Sequence, residues 1–203
     1  MLRRRPLSAV AGSALRPWEV HPEAPPEGAR VGLRVLERSD REAFLGLARE
    51  SRELHRPWTY PPERSDQFDD LYSRSRRDDF ACLVSVLADD EREITGVFTI
   101  SQIVRGAFQS AYLGYYAHQR HANQGLMREA MEQVLDHAFG PLALHRLEAN
   151  IQPGNAASIA LARSAGFRLE GFSPRYLLIG GQWRDHERYA ITADERAAQK
   201  SPS

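Results

Sequence analysis

Apolar and polar positions alternate over Val31, Leu33 and Val35, which is the period of a strand with one buried face. Ser39 and Glu42 stand at capping-box spacing, and Phe44, Leu45, Leu47, Ala48 and Leu54 then recur at helical spacing, so a helix follows. A second helix is predicted over 65–76, where Phe68, Leu71 and Tyr72 share a face. Three strand-like runs come next, at 80–88, 94–103 and 111–117, with a polar turn joining the first two, which reads as an antiparallel meander. The period then turns helical, because Met127, Met131, Val134 and Ala138 fall on one face. A strand at 145–151 and a short helix opened by Asn155 follow, the helix stopping at Gly166, where a left-handed cap is cheap. Two strands flank Gly180 and Gly181.

This order predicts an α/β domain over 30–193, with a mixed, mostly antiparallel sheet carrying helices on both faces. Residues 1–29 hold five prolines and little periodicity, so they read as an irregular arm, and 194–203 read as a mobile tail. The 27 Lys and Arg balance 27 Asp and Glu, so no global positive field points to nucleic acid or an anionic membrane as a partner. No apolar run approaches the roughly 20 residues of a spanning helix. Arg3, Arg4 and Arg5 precede an apolar segment broken by Pro6, Ser8, Gly12 and Ser13, too weak for a secretory signal. The single cysteine, Cys82, has no partner within the chain and lies in an apolar run, which fits a cytoplasmic protein.

The segment Arg120-His121-Ala122-Asn123-Gln124-Gly125 joins a strand to a helix that begins at Leu126. Backbone N–H groups without helical partners gather at such a junction, the helix dipole favours an anion there, and Arg120 can add a charge-assisted bond. By spacing alone this is a phosphate cradle or an ordinary solvated loop. The segment resembles the [Gln/Arg]-x-x-Gly-x-[Gly/Ala] signature of the GNAT acetyltransferases, with Arg120 and Gly125 matching and Asn123 in place of the first glycine. Asn is the residue other than Gly that most readily takes a left-handed backbone. Val104-Arg105-Gly106, Tyr112-Leu113-Gly114-Tyr115, Gln124-Gly125-Leu126-Met127, Tyr176-Leu177-Leu178-Ile179 and Gln182-Trp183-Arg184-Asp185-His186 are similar to the RimJ branch of ribosomal-protein alanine acetyltransferases, over about residues 30–192.

The resemblance implies a GNAT fold and acetyl transfer from acetyl-CoA, a cosubstrate, to a primary amine; the scattered histidines and lone cysteine suggest no metal site. The resemblance implies that the loop from Arg120 to Leu126 holds the pyrophosphate, that the backbone of Tyr116 and Ala117 pairs with the pantetheine arm, that Asn155 binds that arm, and that Ser158 protonates the leaving thiolate. Taken alone, Asn155 reads as a helix N-cap with Ser158 on the first turn. Glu148 is the first candidate for the base, and it reads equally as one half of a surface ion pair. Relatives of the RimL type carry a glutamate near the start of the sixth strand where this chain has Leu177, and His118, His145 and Asp185 stand as substitutes. Trp58, Tyr60, Tyr115 and Trp183 are candidates for the acceptor side or for filling the domain's edge. The spacing His118-x-x-His121 matches no ligand set and reads as a coincidence of the loop.

The acceptor implied is a protein N-terminal alanine, of a ribosomal protein in the RimJ branch, with the chain acting as a monomer or homodimer. A small amine such as an antibiotic, spermidine or an amino acid stands beside it. A non-catalytic acetyl-CoA-binding module and a generic phosphate binder are the readings outside that class.

Overall fold

The computed structural model describes residues 16–200. Seven strands form one sheet in the order β1-β2-β3-β4-β5-β7-β6. They are β1 (Val31–Val35), β2 (Phe80–Leu87), β3 (Ile94–Val104), β4 (Ser110–Ala117), β5 (Arg146–Ile151), β6 (Arg168–Ile179) and β7 (Gln182–Thr192). Every neighbouring pair is antiparallel except β4 and β5. The helices are α1 (Arg41–Glu50), α2 (Arg52–His55), α3 (Ser65–Arg74), α4 (Leu126–Phe139), α5 (Ala156–Ser164) and α6 (Ala193–Lys200).

Strand alternation divides the core into two layers. On one face α4 sets Ala130, Met131, Val134 and Ala138 against Leu113, Leu147 and Ala149. On the other, Phe44, Leu45 and Leu47 of α1 and Phe68 and Leu71 of α3 cover Cys82, Val84 and Val97. Each of the Val, Leu, Phe and Met side chains among these, taken from water, stabilises the fold by about 1.5–3 kcal/mol. Short β2, buried on both faces, shows why residues 80–87 read as a continuous apolar run. At the end of α5 Gly166 takes φ +90°, and the Phe167 N–H donates to the Ala162 carbonyl at 3.0 Å, closing the helix as its sequence predicts.

Two expectations need correction. The capping box ahead of α1 is not made by Ser39 and Glu42: a 3-10 turn at Arg38–Asp40 intervenes, and Asp40 and Glu37 make the reciprocal bonds. Asp40 is drawn to this place by Arg34, whose two terminal nitrogens donate to its carboxylate at 2.8 and 2.7 Å. The segment after residue 193 is not a mobile tail through residue 200, because α6 is docked by Arg196, which is 7% exposed and bonded to Glu132 and Asp136 of α4. In the arm, residues 1–15 lie outside the described residues, so the signal-like start has no structural account; residues 16–30 form no helix or strand, yet Val20 joins the core. No helix among the described residues is long and apolar enough to cross a membrane.

Candidate active site

The parallel pair β4 and β5 is held by only three rungs, Ser110 with Arg146, Ala111 with Leu147 and Tyr112 with Glu148. Beyond Tyr112 the strands part, β4 running on to Ala117 and β5 to Ile151. Residues 113–117 stay paired with β3, and their edge toward β5 faces a gap, which is what an amide-bearing ligand needs to add itself as a strand.

A cavity of about 480 Å³ runs along this gap on the side of α4 and α5. His121, Ala122, Asn123, Gly125, Met127 and Arg128 wall one end, and Tyr115, Tyr116, Ala117, Asn155 and Ser158 the other. Asn123 takes φ +59° and Gly125 φ +80°, so the loop makes both left-handed turns that present its N–H groups at the start of α4. Asn in place of the first glycine thus keeps the turn. The loop is braced from behind. Arg30 donates to the Gln124 carbonyl at 3.0 Å and pairs with Glu129, and the Gln119 N–H donates to Ser51 Oγ at 2.9 Å. His121 Nε2 meets Glu93 at 2.8 Å, and His118 lies 3.3 Å from Glu50 and 3.2 Å from the Ile94 carbonyl. Glu93, His118 and His121 bring three ligand-type atoms within 4.8 Å of one another, a grouping that needs the β2–β3 turn and is invisible in the loop's own spacing. These atoms are engaged in the hydrogen bonds just given, and they hold the loop to the sheet.

Three residues of the loop stand apart from the cavity. Arg120, the expected phosphate partner, pairs instead with Glu50 at 2.8 Å. Gln124 folds back to the Arg120 carbonyl, and the Leu126 side chain belongs to the core. Arg128, in the first turn of α4, is the arginine that lines the cavity. Sequence reasoning missed it because a helix position looks like any solvated arginine.

Asn155 is the N-cap of α5, its Oδ1 accepting from the Ser158 N–H at 3.2 Å. Tyr115 donates its hydroxyl hydrogen to the Ser158 carbonyl at 2.9 Å, which ties the first turn of α5 to the parted strand. Burial pushes the Tyr115 phenol well above its ordinary pKa, so it stays a donor. Tyr116 packs edge-on against His55 and Phe44. His55 sits 2.8 Å from the Ala117 carbonyl, and burial lowers its pKa, so a neutral ring donates there.

Two smaller cavities adjoin the gap, of about 220 and 260 Å³. Trp58, Tyr115, Asn155 and Ser158 line both the large cavity and the first of these, so the two are contiguous. Its other walls are Leu113, Ala149, Ile151, Leu177 and Ile179, with Asn150, Gln152 and His186.

The remaining candidates are elsewhere. Glu148 occupies the last paired rung and lines none of these cavities; it accepts from Arg146 at 2.9 Å, within a charged ladder that continues through Glu170 and Arg168 to Glu195. Its expected role as base is not supported by this position. Trp183 is 61% exposed at the β6–β7 turn and lines no cavity here, and Tyr60 lies against Gly180. Asp185 accepts from the Arg175 N–H at 2.7 Å. His145 precedes β5, its carbonyl accepting from Ala193 at 2.8 Å.

Comparison with known proteins agrees with this architecture. The family described as acetyltransferase (GNAT) domain matches residues 30–168. The chain is 34% identical over 173 residues to a Bacillus subtilis protein described as "Probable N-acetyltransferase YjcK", covering 81% of this chain and 95% of that one. It is 31% identical over 173 residues to the Escherichia coli [ribosomal protein uS5]-alanine N-acetyltransferase, covering 82% and 89%. A Vibrio cholerae spermidine N(1)-acetyltransferase is 26% identical over 164 residues, covering 80% and 93%. The structure of Mycobacterium smegmatis RimJ with CoA-disulfide superposes with a TM-score of 0.72 at 29% identity, covering 83% and 88%. The parted parallel pair beside the start of α4 and the matches to known proteins lead to one conclusion: the chain belongs to the GNAT acetyltransferases, related to the ribosomal-protein alanine enzymes, and is an acyltransferase that uses acetyl-CoA.

Proposed function

We propose that the acceptor is the N-terminal amine of a polypeptide with a small first residue such as alanine. The lining of the cavities carries this reading: among the described residues that wall them there is no Asp or Glu. A polyamine keeps further ammonium groups when one nitrogen reacts, and a buried ammonium needs a carboxylate beside it. An N-terminal amine has one charge to lose. Neutralising it at pH 7 costs about 1 kcal/mol, against about 4.6 kcal/mol for a lysine. The apolar walls at Leu113, Ala149, Leu177 and Ile179 suit a methyl side chain. The name of the E. coli relative adds an N-terminal alanine of ribosomal protein uS5 as the first substrate to try.

In this reading the loop from His121 to Gly125, with Arg128, holds the phosphates, residues 115–117 and Asn155 hold the pantetheine arm, and Ser158 lies where the thiol leaves. The neutral amine attacks the thioester carbonyl carbon, forming the C–N bond as the carbonyl pair moves to oxygen. The nitrogen gives up a proton, the pair returns, and the C–S bond breaks. The thiolate takes its proton from the Ser158 hydroxyl.

A small amine such as an amino acid is the second reading, favoured by the acceptor cavity's volume of about 220 Å³, which encloses such a molecule whole. Thiol release from acetyl-CoA with an alanine-initiated peptide, a free amino acid and spermidine distinguishes these. The peptide is expected to react fastest, and preferential turnover of spermidine would refute the N-terminal assignment.

A further inference from the structure

We propose that His186 is the general base that takes the proton from the acceptor amine. The assignment rests on the acyl-transfer reading above. His186 lies on β7, is 3% exposed, and lines the same acceptor cavity as Ser158, Asn150 and Leu177. Its Nδ1 is 3.0 Å from the Arg184 carbonyl oxygen. A carbonyl only accepts, so Nδ1 carries the hydrogen, and the neutral ring therefore keeps its lone pair on Nε2. Tyr176 of β6 packs against the ring at 6.1 Å and 63°, which fixes its plane. Hydrogen bond and ring contact together hold the ring in one orientation at the cavity wall, with Nε2 left as its basic atom.

The groups around the ring leave it neutral near pH 7. Burial lowers the pKa of His186 below its ordinary value, while the Arg184 carbonyl and the charge of Asp185 pull the other way and do not win. Tyr115 from β4 is the other titratable residue lining this cavity, its phenol held protonated by burial, and Tyr176 from β6 meets the ring from the adjoining cavity.

Three other candidates are engaged. Glu148 is bonded to Arg146, His55 donates to Ala117, and Asp185 accepts from Arg175. The transfer balances: the amine nitrogen forms its bond to the acetyl carbon and releases one proton to Nε2, the C–S bond breaks, the thiolate is protonated by Ser158, and His186 returns its proton to solvent while Ser158 regains one.

His186→Asn tests this, because its side-chain amide can still donate to the Arg184 carbonyl but offers no basic lone pair. The readouts are kcat, the pH profile of kcat/KM with an alanine-initiated peptide, and the thermal shift given by acetyl-CoA. In the unsubstituted protein both amine and imidazole must be neutral, so the logarithm of the rate is expected to rise with a slope approaching two on the acid side. The variant is expected to lose about a hundredfold in kcat, to show a slope of one, to keep its thermal shift, and to regain part of its rate with added imidazole. An unchanged profile, or a kcat within about twofold, would overturn His186 alone. Absence of thiol release by the unsubstituted protein with every peptide and amine would overturn the acyl-transfer reading and this assignment with it.

Discussion

Asn155 and Ser158 share one turn of α5, and their substitutions are expected to differ in kind. Asn155→Ala removes the acceptor of the Ser158 N–H, so it should lower stability by about 1 kcal/mol and weaken acetyl-CoA binding. Ser158→Ala should leave binding nearly intact and lower turnover. Thermal melts with and without acetyl-CoA, beside initial rates, separate the two; unchanged turnover in Ser158→Ala would remove it as the proton donor. Cys82 offers a check on the core itself. Burial pushes its thiol up to about 12, so it is expected to resist thiol reagents at neutral pH until denaturant is added, and rapid labelling of the folded protein would contradict its placement. At this scale the sequence shows which residue types are present, and it shows Asn123 as a tolerable left-handed residue, which φ +59° bears out. It could not show that Arg146 holds Glu148, or that Glu50 holds Arg120, because those partners come from the fold.

The elements that read clearly are those whose pattern is local. Strands β2 to β4 and helix α4 repeat their period over eight or more residues each. Helix α6 did not read as a helix because its anchor, Arg196, meets acidic side chains of α4 some 60 residues earlier in the chain. Near the end of α4 the buried His137 has no hydrogen-bond partner at either ring nitrogen, and burial, with the charge of His21 adding to it, lowers its pKa to about 4. An unfolded histidine titrates near 6.5, so the folded state binds fewer protons between these values. Its stabilising contribution is full above about pH 6.5 and is lost as pH falls through about 4, amounting to about 3 kcal/mol. Urea melts of the chain and of His137→Leu across that range are expected to show a steeper acid loss in the unsubstituted protein, and parallel curves would contradict it. In the loop before α4, Gly125→Val strains a backbone at φ +80° and crowds the anion site, so it should abolish most of the acetyl-CoA-induced shift in melting temperature. A full shift in the variant would mean the phosphates bind elsewhere.

For the whole molecule, the order of elements was enough to read a mixed sheet with helices on both faces, and the parting of β4 from β5 was not, since a missing rung leaves no mark on composition. The cavity proposed for the acceptor was the least legible. It is assembled from β4, β5, β6, β7 and the segment around Trp58, and only their convergence reveals a cleft where apolar side chains meet Asn150, Gln152, Ser158 and a buried histidine. The central claim, that the chain acetylates a polypeptide's N-terminal amine, is tested most directly by mass spectrometry of two peptides incubated with the protein and acetyl-CoA near neutral pH. One begins with a free alanine, and the other has the same sequence, a blocked N-terminus and several lysines. A single acetyl group at the alanine amine, with the blocked peptide slower by about two orders of magnitude, is the predicted result. Efficient acetylation of the blocked peptide would contradict it.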